Sequence, residues 1–230
     1  MTRSPQTAVI TSHGQPSAPA PAEAELAKLA AEVAAHLPGW DVRSATLATQ
    51  GRLEKMTEDG AVVYPFFMSQ GYFTAKVVPD RLQGRSCRIT APFGLDSALP
   101  PLAAQAARQA AEVQGWDLTG LHLLLAAHGS ARGPKAAEAA EAFAAKLRLL
   151  LPGCTVTPGY VEQNPQVETS AAPLPARSLC LPFFAQAGDH VKEDIPEALE
   201  AARFRGLVLP VTGALPGVPR LIAEAIRTAA

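Results

Sequence analysis

Residues 123–156 read LLLAAHGSARGPKAAEAAEAFAAKLRLLLPGCTV. Residues 121–127 form a short apolar run, the pattern of a strand buried on both faces. Pro134 stands where a helix can begin. Ala137, Ala140, Phe143, Ala144, Leu147 and Leu151 then recur at three- and four-residue steps, which is one helical face. Pro152-Gly153 stops that helix, and residues 154–161 read as the next strand. Working outward, residues 178–182 and 207–211 are two further strands. Pro196 opens a helix expected to run to Phe204, and Pro219 opens the last one. Strands alternating with helices predict a parallel sheet covered on both faces, an α/β fold.

The same order of features occurs once before. Residues 8–42, AVITSHGQPSAPAPAEAELAKLAAEVAAHLPGWDV, also run strand, His-Gly, Pro-containing loop, Ala-rich helix, Pro-Gly, strand. Leu26, Leu29, Ala30, Val33 and Leu37 trace the matching helix face. His13 and His128 are 115 residues apart and Pro38 and Pro152 are 114 apart. Further on, VVYPFFMSQGYFTAKVVPDRL (62–82) aligns with SLCLPFFAQAGDHVKEDIPEAL (178–199). Pro65 and Pro182, Gly71 and Gly188, and Pro79 and Pro196 all keep a spacing of 117. Anchors in one order at nearly constant spacing mark a duplication. The chain is read as two tandem repeats, 1–116 and 117–230, each with a four-stranded, mainly parallel sheet flanked by helices.

In parallel α/β sheets ligands bind beyond the carboxyl ends of the strands. Three metal-competent side chains of the second repeat fall there: His128 after the first strand, Glu162 after the second and His190 after the third. Two imidazoles and a carboxylate suit a divalent Co, Ni, Fe or Zn ion. In the first repeat His13 is kept, but Phe73 stands where His190 stands and Ala48 falls opposite Glu162. One ligand of three does not hold an ion, so the first site is read as degenerate, with Tyr72, Phe73, Phe66 and Phe67 offering aromatic surface instead. His36, near a helix end, and His122, at the start of a strand, are read as structural. Asp194 and Ser130 are expected to cap helices.

Composition removes several alternatives. The net charge is -1, with 20 Lys and Arg against 21 Asp and Glu, which gives no basic excess for nucleic acid. No run approaches the roughly 20 apolar residues of a membrane span, and MTRSPQTAVI has no signal-peptide core, so a cytoplasmic location is expected. Cys87, Cys154 and Cys180 are too far apart for a CxxC knuckle and read as small buried hydrophobes.

The His-Gly-Ser strand end at 128–130, Tyr160–Pro165 and above all LPFFAQAGDHVKEDIPEAL at 181–199 resemble the class II chelatases, the sirohydrochlorin cobalto- and ferrochelatases of the CbiX type. The resemblance implies two α/β lobes facing across a cleft, in a monomer or homodimer. It also implies a lyase that inserts Co2+ or Fe2+ into sirohydrochlorin in cobalamin or sirohaem biosynthesis, with no cofactor beyond the ion that is its substrate. By position His128, His190 and Glu162 match the family's metal-site residues. A histidine would take the pyrrole protons, and Ser130, Arg132, Lys135, Lys192, His13 and Phe73 are candidates for contact with the carboxylate-rich tetrapyrrole. The same donors also suit an iron oxygenase or a zinc hydrolase, and a non-catalytic metal or tetrapyrrole carrier is the alternative within the fold. A phosphoryl-transfer enzyme is disfavoured, because no arginine accompanies either His-Gly.

Overall fold

The expected alternation of strands and helices is present in a computed structural model, which describes residues 5–130 and 133–230. The first repeat contains β1 (Gln6–Ser12), α1 (Pro19–Ala34), β2 (Trp40–Thr46), α2 (Arg52–Met56) and β3 (Val62–Pro65). A π-helical turn, Phe73–Val77, runs into α3 (Val78–Arg81), followed by β4 (Arg88–Ile89) and α4 (Leu99–Val113). The second repeat has β5 (His122–Ala127), α5 (Lys135–Leu150), β6 (Thr155–Tyr160), α6 (Val167–Ala171) and β7 (Ser178–Phe183). A second π-helical turn, His190–Asp194, leads into α7 (Ile195–Ala201), then β8 (Leu207–Val208) and α8 (Val218–Ala229).

Both sheets have the same topology, β2-β1-β3-β4 and β6-β5-β7-β8, and every pairing is parallel. Ala8 lies between Val42 and Val62, and Leu124 between Thr157 and Cys180. The central strands are flanked by strands and covered on both faces, so Val9, Ile10, Leu124, Leu125 and Ala126 are fully buried. On α5 the periodic residues Ala140, Phe143, Ala144 and Leu147 are buried as expected.

Three local differences have clear causes. β8 ends at Val208 rather than Val211 because Pro210 has no N–H to continue the ladder. α7 stops at Ala201, short of Phe204, where Arg203 turns left-handed with φ 52°. Past the end of α1 a cation comes from another helix: the carbonyl of His36 accepts a hydrogen bond from Arg227 of α8 at 2.7 Å.

The compact units do not coincide with the repeats. One is formed by residues up to Asp96 together with Gly217–Ala230, the other by Ser97–Pro216. α8 packs on α1 and β3, whereas α4 packs on α5. α4 and α8 are counterparts, starting at Leu99 and Val218 with Pro100 and Pro219 in second position. Each therefore packs on elements of the other repeat. The boundary expected at 116/117 separates two copies of a sequence, not two bodies with separate cores. Among the described residues no helix is long and apolar enough to cross a membrane.

Candidate metal centre

The site is built at the carboxyl edge of the second sheet, by backbone ladders that continue past the strands. Beyond β5 and β6, Val161 N–H donates to Ala127 O at 3.0 Å and Glu162 N–H to His128 O at 2.9 Å. These bonds fix Glu162 beside His128. Gly129 makes the turn with φ 68°, and a Cβ there would stand 2.6 Å from Gln163 Cγ. Only glycine meets both conditions. Gln163 Oε1 in turn accepts the Ser130 N–H at 2.9 Å. His190 arrives from β7 by way of Gly188, whose carbonyl accepts the Val191 N–H at 3.0 Å as the π-helical turn begins.

The three side chains converge. One donor atom from each of His128, Glu162 and His190 lies within 4.8 Å of the others. Among the described residues this is the one group of three or more His, Cys, Asp or Glu side chains that does so. The imidazoles of His128 and His190 meet edge-on, with centroids 4.6 Å apart at 83°. His128 Nδ1 is 3.6 Å from Glu162 Oε2, and both side chains are a little under half exposed, so a large ligand can reach them. Two donors about 2.1 Å from one ion are at most about 4.2 Å apart, so small side-chain rotations close the set on a metal. Three protein ligands leave other coordination positions open.

Hydrogen bonding orients the rings. His128 Nδ1 lies 2.9 Å from Gly129 O, which as an acceptor requires N–H on Nδ1 and leaves the Nε2 lone pair free. His190 Nδ1 is hydrogen-bonded to Asp194 Oδ2. Asp194 is thus no helix cap: its backbone is helical and its side chain makes no capping bond. Ser130 does not cap α5 either, whose N-cap position is Pro134. Phe184 packs 6.3 Å from the His128 ring and 6.4 Å from that of His190. Sequence reasoning missed Asp194 and Phe184 as parts of the site, although the Pro-Phe-Phe motif held the second of them in plain view.

The remaining candidates divide. Lys135 is exposed and paired with Glu138 at 2.9 Å, and Lys192 is exposed beside His190. Arg132 lies outside the described residues. In the first unit His13 and Phe73 do meet, edge-on at 4.4 Å, with Phe67 and Tyr72 around Phe73. Phe66 is core, packed on Phe93. Burial pushes the Cys180 thiol up to about 12 and that of Cys154 to about 11, so neither supplies a thiolate ligand near neutral pH.

A family model described as CbiX matches residues 122–229. No curated sequence matches the chain. Among solved structures, a CbiX described as the terminal enzyme for biosynthesis of siroheme in denitrifying bacteria is 44% identical, with a TM-score of 0.90 over 98% of this chain and 100% of that one. DR2241 from Deinococcus radiodurans, a multi-domain protein with structural similarity to chelatases, is 22% identical, with a TM-score of 0.69 over 97% of this chain and 55% of its own. SirB from Bacillus subtilis, solved with Fe3+, is 17% identical, with a TM-score of 0.74 over 98% and 96%. The last two likenesses are of fold. The first runs the full length of both chains at substantial identity, and by it this chain belongs to the CbiX family.

Proposed function

We propose that this chain is a sirohydrochlorin metal chelatase, a lyase that inserts a divalent ion into the macrocycle at His128, Glu162 and His190. The observation that carries the proposal is the convergence of these three donors at one sheet edge, in a chain of the CbiX family. The ion enters as substrate, and insertion releases the two pyrrole protons. The free Nε2 atoms of His128 and His190, with the Glu162 carboxylate, replace part of the ion's water shell. When the ion passes to the pyrrole nitrogens, the vacated imidazoles become acceptors for the two pyrrole protons. Glu162, next to His128, carries protons onward or balances charge. The half-exposed, loosely spaced donors suit an ion that must be handed over rather than kept. Fe2+ is the favoured ion, because the 44%-identical CbiX acts in siroheme biosynthesis, and Co2+ presents the same ligand chemistry. In this reading Lys192, exposed and two residues after His190, contacts substrate carboxylates.

The test is an anaerobic absorbance assay of sirohydrochlorin with Fe2+ and with Co2+, run on wild type, His128→Ala and His190→Ala. Insertion well above the spontaneous rate, lost in both variants, is the expected result. Pigment binding with no gain in rate would refute the enzyme and leave a carrier.

A further inference from the structure

We infer that Asp194 is the positioning residue of this centre: its carboxylate holds His190 in the tautomer and orientation that present an unprotonated Nε2 to the incoming ion. The inference rests on the reading of His190 as a metal-holding residue. An ionised carboxylate only accepts hydrogen bonds, so the bond between His190 Nδ1 and Asp194 Oδ2 places the ring proton on Nδ1. The lone pair is then on Nε2. A carboxylate behind an imidazole also makes that ring a stronger donor to a metal.

The two repeats separate this role from a structural one. Phe73–Val77 and His190–Asp194 are π-helical turns of equal length at matching positions, each running directly into a short helix that has Pro79 or Pro196 near its start. Val77 stands where Asp194 stands, just as Phe73 stands where His190 stands. The turn therefore forms without the carboxylate, and the carboxylate is present only where there is an imidazole to orient. Asp194 makes no capping bond that would give it another purpose. The pair is about 36% and 46% exposed, where an ion pair adds little to stability. His128 needs no such partner because the Gly129 carbonyl orients it. The two histidines are thus set by different means, one by backbone and one by a side chain.

The experiment uses the full chain and Co2+ alone. Visible absorption follows Co2+ binding, and 15N NMR of labelled histidine reads the His190 tautomer without metal. Asp194→Ala should weaken Co2+ binding by about 10- to 100-fold, mix the His190 tautomers and leave the thermal midpoint unchanged. Asp194→Asn, which keeps an acceptor, should recover part of the loss and serves as the test if the alanine variant misfolds. On a His190→Ala background, Asp194→Ala should cost nothing further. Unchanged Co2+ affinity and tautomer in the Asp194 variants, with binding lost in His190→Ala, would overturn this inference alone. So would an equal loss from Asp194→Ala with or without His190. Unchanged binding in His190→Ala would overturn the site reading and this inference with it.

Discussion

At the edge of the first sheet His13 meets Phe73 with ring centroids 4.4 Å apart at 82°, and at the edge of the second His128 meets His190 at 4.6 Å and 83°. The backbone beneath is as similar. Ala48 N–H donates to His13 O at 3.0 Å where Glu162 N–H donates to His128 O at 2.9 Å. His13 Nδ1 faces Gly14 O just as His128 Nδ1 faces Gly129 O. Gly14 and Gly129 both turn left-handed, against Thr46 and Gln163 respectively. The scaffold thus delivers three side chains to a point in both units, and only the delivered chemistry differs. A ring and a methyl group in the first unit replace an imidazole and a carboxylate in the second. The metal competence proposed for the second unit is then a property of the side chains, carried on a frame that holds its shape without them.

The sharpest way to break this contrast is at the histidines. His128→Ala and His190→Ala should lower kcat/KM for insertion by about 100-fold or more, the scale of a lost acid–base group. His13→Ala should change it by less than about threefold, since among the described residues no metal-ligating group of three includes His13. A comparable loss in His13→Ala would show that the first edge takes part directly.

The converse experiment adds the missing groups. Ala48→Glu, Phe73→His and Val77→Asp together should raise bound Co2+, measured by equilibrium dialysis, from one ion per chain to two. A single ion in the triple variant would mean that the frames differ in a way their hydrogen bonds do not reveal.

Most of this was legible in local sequence. The His-Gly turns, the Pro-Gly stops and the constant spacing of Pro65, Gly71 and Pro79 from their counterparts identify the repeat, because each is a local backbone requirement. Parallel topology then places His128, Glu162 and His190 at one edge. What was not legible depends on partners distant in space or on ambiguous spacing. Asp194, two residues before Pro196, reads equally well as a cap or as the fourth residue after His190, and only the path of the turn decides. Pro100 and Pro219 announce helices alike, but no local pattern says which sheet a helix covers. The repeat boundary at 116/117 is silent on the exchange of α4 and α8 for that reason.

The units also differ in how the strand edge is braced. In the first, Arg81 makes two bonds to Glu54, at 2.6 and 2.7 Å, and donates to Leu47 O at 3.1 Å. In the second, Ala198 stands 117 residues on, where Arg81 stands, and packs on an apolar cluster. The hydrogen bond from Arg81 holds the Glu54 carboxyl below its ordinary value, against an opposing effect of burial. A carboxyl lowered on folding stabilises above its unfolded pKa, and the gain disappears as pH falls through the folded value. Glu54→Gln should therefore cost about 1 kcal/mol at neutral pH and nothing once the wild-type carboxyl is protonated, as read by urea unfolding across acid pH. A pH-independent cost would mean that shape, not charge, is what the pair supplies.

The smallest effect is expected at Lys135. Its exposed pairing with Glu138 leaves little for substrate, so Lys135→Ala should raise KM by less than about twofold. A larger rise with unchanged kcat would return Lys135 to the binding surface.

The exchange of α4 and α8 bears on how the chain can be cut and on how it came to be whole. A fragment cloned at 117–230 would carry an apolar helix face without α1 and β3 to pack on, and its α5 would be bare where α4 belongs. Ser97–Pro216 is the continuous piece that keeps its core. A chain with one copy of the repeat, packed in this way, must borrow its last helix from a second molecule, which is a domain swap. Joining two copies end to end turns that borrowing into an exchange within one polypeptide, at an effective concentration that no longer depends on how much protein is present. One copy could then lose its ligands while still lending the other its helix.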